Sequence, residues 1–131
     1  MPLVLAYNFS PARLAAVRVL CARLKIRLRA VEKNEFGCTV GSLCGQSAPQ
    51  GEDTQEDDFS DEMIVMAGFS GQMLNAFLHS FYTYHLAPVS LKAVLTEVNA
   101  QFTGLRLHQE LCAEREAIRQ GMQANARRGD G

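Results

Sequence analysis

A short apolar run, a residue that tolerates positive φ, an aromatic and a serine occur in that order twice in this chain, sixty positions apart. The first copy is Leu3-Val4-Leu5-Ala6-Tyr7-Asn8-Phe9-Ser10 and the second is Met63-Ile64-Val65-Met66-Ala67-Gly68-Phe69-Ser70. Each apolar run reads as a strand buried on both faces. Asn8 and Gly68 turn the chain. Ser10 and Ser70 then stand as N-caps, the hydroxyl accepting from a free amide of the first helical turn. The aromatic before each cap and the leucine four places after it, Leu14 or Leu74, form a hydrophobic staple.

The residues after each cap continue the pattern. Over 11–25, Leu14, Val17, Leu20, Cys21 and Leu24 form one helical stripe. Over 71–85, Leu74, Phe77, Leu78, Phe81 and Tyr82 do the same. Two alternating segments follow, 26–31 and 89–95, and read as strands. Leu91-Lys92-Ala93-Val94 aligns with Leu28-Arg29-Ala30-Val31 at an offset of 63. Thr39 and Thr103 repeat the cap, with Cys38 or Phe102 before it and Leu43 or Leu107 four places after. The late helix is expected to end near Gln120, and its early twin is cut short at Gly45.

The pattern therefore predicts an α/β fold of two tandem β-α-β-α repeats, 1–44 and 63–120. Each strand-helix-strand unit needs a parallel crossover. The apolar first strands belong in the centre and the cation-bearing second strands at the edges. The expected sheet is mixed and four-stranded, in order 2-1-3-4, with helices packed on it and a pseudo-two-fold axis between the halves. At 131 residues the chain is the size of a single domain.

Charge is unevenly spread. Residues 1–36 hold seven cations and two anions, whereas residues 37–62 hold seven anions and no cation. The stretch 45–62 reads as an acidic, flexible linker and 121–131 as a disordered tail. A formal net charge of −1 argues against a globally basic nucleic-acid binder. No apolar run is long enough for a membrane span, and the first residues lack the basic start of a leader. The cytoplasm is the expected compartment, and Cys21, Cys38, Cys44 and Cys112 are expected as free thiols.

Several segments carry a family resemblance: Met63–Ser70, Leu74–Leu78, Leu91–Asn99 and Leu107–Leu111. Together they resemble the bacterial family described as domain of unknown function 3783, over about residues 63–111. The Gly68-Phe69-Ser70 turn and the Leu91–Asn99 strand exit are its most specific parts, and Phe102-Thr103 fits the step before its last helix. Residues 1–44 look like a degenerate copy. The resemblance implies a small bacterial protein and no particular activity.

Five residues stand out as candidate ligand contacts. Arg29 and Lys92, aligned at the offset of 63, form a cation pair under the pseudo-symmetry, or else guard the sheet edges. Glu97, Asn99 and Thr103 leave the carboxyl end of a strand, where open α/β sheets hold their ligands. The competing reading makes Asn99 a loop brace and Thr103 a cap. No catalytic motif, cofactor fingerprint or metal-ligand spacing is present, although His108 and Cys112, four apart on one helix, could share a metal edge.

The leading expectation is a non-enzymatic regulatory module that contacts a protein partner or a small anion. The alternative is a small enzyme with Glu97 and His108 as acid and base. A third reading is weak nucleic-acid binding through the basic first half. No cofactor and no membrane contact are expected. Pairing with a second copy would cover the thinly screened first repeat.

Overall fold

The two apolar runs become the central strands of one sheet. In this computed structural model, which describes residues 2–45 and 59–129 (the backbone alone over 122–129), β1 (Leu3–Tyr7) and β3 (Met63–Ala67) are buried throughout. They pair antiparallel about Leu5 opposite Val65. β2 (Arg27–Val31) lies parallel to β1 and β4 (Leu91–Val94) parallel to β3. The order is β2-β1-β3-β4, the mixed sheet that the sequence predicts.

Helices cover both faces. α1 (Pro11–Arg23) and α3 (Gly71–Thr83) pack Val17, Leu20, Cys21, Phe77 and Phe81 against Val4, Ile64 and Met66. On the other face α2 (Val40–Leu43) and α4 (Gly104–Gly129) supply Val40, Leu43 and Leu107 against Leu5, Tyr7 and Val65. The alternation of side chains along β1 and β3 feeds both layers, which is why neither strand shows a polar residue. Each half runs strand, helix, strand, 3-10 turn, helix, the turns being Lys33–Glu35 and Asn99–Gln101.

All four expected caps are in place. Ser10, Thr39, Ser70 and Thr103 accept from the amides of Arg13, Ser42, Met73 and Arg106 at 3.3, 3.4, 3.1 and 3.1 Å. The helix ends differ from expectation. α1 and α3 stop before Lys25 and His85, which take φ of 59° and 57°. The next amides, of Ile26 and Leu86, reach back to the carbonyls of Cys21 and Phe81 at 2.8 Å. This is the Schellman closure, built twice without the usual glycine, so its sequence signal was missing. Both side chains are exposed. Lys25→Gly and His85→Gly are each expected to raise unfolding free energy by about 0.5–1 kcal/mol, because only the left-handed penalty is removed. Urea midpoints measure it, and a lower midpoint would contradict the left-handed assignment.

Three further expectations need correction. Tyr82, expected on the core stripe, is 80% exposed: the buried line runs through Phe77, Ser80 and Phe81, with Leu74 and Leu78 partly buried beside it. The expected linker runs to residue 62, yet Phe59 within it is buried and stacks on Phe36 at 4.8 Å between ring centres. The rest of that acidic segment, 46–58, lies outside the described residues. α4 continues to Gly129 rather than ending near Gln120. Gly121 is followed by Met, Gln, Ala, Asn, Ala, Arg and Arg, all but Asn125 good helix formers, and one glycine does not outweigh them.

Candidate functional site

The strand register separates two residues that the sequence alignment equated. Arg29 lies opposite Leu5, whereas Lys92 lies opposite Ile64 and Ala93 opposite Val65. The matching offset between β2 and β4 is thus 64, not 63. One residue of slip moves a side chain to the other face of a sheet. Arg29 points into the layer of α2, and Lys92 belongs to the face of α1 and α3. They form no cation pair.

Each has a local partner instead. Arg29 donates to the Glu35 carboxylate at 2.6 Å and to the Leu43 carbonyl at 3.0 Å. The Glu32 amide, and then this guanidinium, hold the Glu35 carboxyl below its ordinary range against the opposing effect of burial. A ligand at Arg29 would have to displace that carboxylate. Lys92 turns its ammonium to the Val89 carbonyl at 3.1 Å.

The loop after β4 is braced internally. Asn99 accepts from the Thr96 amide at 2.8 Å, donates to the Val94 carbonyl at 2.9 Å, and has its own amide on the Thr96 hydroxyl at 3.1 Å. Thr103 caps α4 and forms an isolated bridge with Thr39. The structural reading therefore accounts for the polar groups of Asn99 and Thr103. Glu97 is exposed on the turn. His108 faces elsewhere, so Glu97 and His108 are not brought to a shared site.

What the loop does form is one end of a groove. A cavity of about 430 Å³ runs between β4, its exit loop and α4. Ala93, Phe102, Leu107 and Leu111 give it an apolar floor, and Glu110 and Glu114 stand along the helix side. Val98, 68% exposed, closes one end. Ile118, 64% exposed, lines a second recess that shares Lys92, Leu111 and Glu114 with the first. Leu107, Leu111 and Ile118 are spaced to lie on one face of α4, so the groove continues along the helix against the start of β4.

A second cluster, which the sequence reading left incomplete, sits where the acidic segment rejoins the fold. His108 Nε2 lies 2.9 Å from Asp61 Oδ2 and 3.5 Å from Cys112 Sγ. The Phe59 ring stacks on His108, 4.3 Å between centres and 16° from parallel. Asn8, at φ 63°, donates to the carbonyls of Phe59 and Asp61 at 2.8 and 3.1 Å. Beside it, the Arg13 Nε–H is shared between the two Glu62 carboxylate oxygens at 2.7 and 2.8 Å. The i, i+4 relation of His108 and Cys112 was visible in the sequence. Asp61 was not, because it arrives from 47 residues away.

A family model described as Domain of unknown function (DUF3783) matches residues 62–118. This segment is similar to the DUF3783 family. The DUF3783 segment contains β3, α3, β4 and the first half of α4, and with them the whole groove. His108 and Cys112 lie inside it, and Asp61 stands one residue ahead of it. No curated protein and no solved structure matches the chain. Among the described residues, no helix is long and apolar enough to cross a membrane.

Proposed function

We propose that this protein is a non-enzymatic interaction module that seats an extended segment of a partner protein in the groove between β4 and α4. The carrying observation is the groove's composition: an apolar floor, exposed Val98 and Ile118 at its ends, and Glu110 and Glu114 on its wall. Partner sites combine an apolar centre with a polar rim in this way.

Charge decides between the two ligand classes expected from sequence. Glu110, paired with Arg106 at 3.5 Å, and Glu114 line the main cavity, Arg115 lines only the second recess, and the Lys92 ammonium at the rim is held by a backbone carbonyl. A small anion in the main cavity would meet the Glu114 carboxylate, and on the other edge Arg29 is occupied by Glu35. The favoured occupant carries an apolar anchor beside a basic side chain, the anchor entering between Phe102 and Leu111.

The test is fluorescence anisotropy with two labelled probes, a peptide alternating Lys with Leu and one alternating Glu with Leu. The basic peptide is expected to bind the full chain at least tenfold more tightly. Glu114→Lys, at an exposed position, should erase that preference. Equal affinities for the two peptides, or a preference untouched by Glu114→Lys, would rule this groove out as the docking site.

A further inference from the structure

Three side chains of different chemistry converge on one point at the start of α4. We propose that Asp61, His108 and Cys112 bind a divalent transition-metal cation of the zinc class, leaving a fourth position open to solvent. The carboxylate oxygen, the imidazole nitrogen and the thiol sulfur all lie within 4.8 Å of one another. Zinc bonds of about 2.0–2.3 Å at tetrahedral angles place ligand atoms about 3.3–3.6 Å apart. The observed separations of 2.9 and 3.5 Å from the shared nitrogen fall just below that range and inside it, so small side-chain rotations suffice.

Convergence on one nitrogen separates a metal site from a proton relay. In a Cys-His-Asp relay the acid orients one ring nitrogen and the thiol uses the other. Here both Asp61 and Cys112 face Nε2. One N–H shared between two neighbouring groups serves each only weakly, whereas a cation between the three satisfies all of them. One sulfur, one nitrogen and one oxygen suit zinc or cobalt, not the oxygen-seeking calcium and magnesium ions.

The surroundings hold these ligands in place. The Phe59 ring fixes the plane of His108. The Asn8 amide clamps the backbone on both sides of residue 60 and so sets where Asp61 projects. His108 and Cys112 are one helical turn apart on a single face. His108 is 15% exposed at its side chain and Asp61 58%, so the cation would sit at the surface with its fourth ligand from solvent or a partner.

Cobalt titration of the reduced full-length protein tests this. One equivalent of Co²⁺ should give the intense visible bands of a tetrahedral ion and a near-ultraviolet thiolate charge-transfer band. Cys112→Ser should abolish the charge-transfer band, and Asp61→Ala should weaken binding by more than about tenfold. His79→Ala, at an exposed histidine on α3, should change nothing. With the wild-type chain, one equivalent of Zn²⁺ should slow alkylation of Cys112 at least tenfold, mapped by mass spectrometry, with Cys38 and Cys44 unaffected. Absence of the thiolate band, its survival in a folded Cys112→Ser protein, or alkylation of Cys112 indifferent to zinc would each overturn the assignment.

Discussion

Gly104→Ala is expected to destabilise the fold by about 2 kcal/mol, although alanine is the better helix former. A Cβ at this position would lie 2.6 Å from Cε2 of Tyr7 and 3.2 Å from its Cζ and hydroxyl oxygen. The ring cannot retreat. Tyr7 is fully buried, with Phe36 and Phe59 at centroid distances of 5.4 and 5.9 Å. Overpacking of this kind costs about 1–3 kcal/mol, and at the first residue of a helix the propensity gain offsets little of it. A double-mutant cycle isolates the clash. Tyr7→Leu removes the offending ring, so the added cost of Gly104→Ala in that background should fall below about 0.5 kcal/mol. Urea denaturation of the four proteins gives the coupling, and a cost unchanged by Tyr7→Leu would place the effect elsewhere.

That contact shows where sequence reading stops. The strand-turn-cap pattern is local, and it located β1, β3, α1, α3 and the four N-caps. The sheet order followed from it, because only two strands were apolar on both faces. What needed knowledge of distant neighbours was missed. Gly104 reads as an ordinary first-turn residue until the Tyr7 ring is placed beside it. Phe59 reads as a stray aromatic in an acidic stretch, and its hydrophobicity against that background was the available signal. The offset of 63 rested on matching Leu28 with Leu91, two apolar residues. The register instead matches Leu91 with Arg27. Edge strands are half exposed, so a single apolar match there does not fix the face.

The candidate site was legible in the same partial way. The loop 97–103 was singled out and does border the groove, yet its own polar groups are mostly spent on backbone. The groove owes its character to Leu107, Leu111, Glu110 and Glu114, which read simply as an amphipathic helix. The helix became a wall because the sheet beneath it ends at β4, and that edge is a property of topology.

Stability is expected to fall steeply in alkali, from about pH 9 upward. Two buried acids keep their protons in the fold. Burial pushes the Cys21 thiol up to about 11, opposed weakly by Arg18. Burial likewise raises the Tyr7 phenol well above its ordinary value, helped by Cys44, Cys38 and Glu35. In the unfolded chain the thiol ionises at about 8.5 and the phenol at about 10. Above those values the native state binds more protons than the unfolded one, so rising pH favours unfolding. The stabilisation is fully present at pH 7. For Cys21 it is lost between about pH 9 and pH 11, by roughly 3 kcal/mol. Tyr7 extends the loss above pH 10. Unfolding midpoints at pH 7, 9, 10 and 11 measure it. Cys21→Ala should flatten the fall between pH 9 and 11. Tyr7→Phe should flatten it above pH 10 with little change at pH 7, because the Tyr7 hydroxyl makes no hydrogen bond among the described residues. A wild-type midpoint constant from pH 7 to 11 would mean that both groups ionise in place, which a fold burying them in two separate cores does not allow.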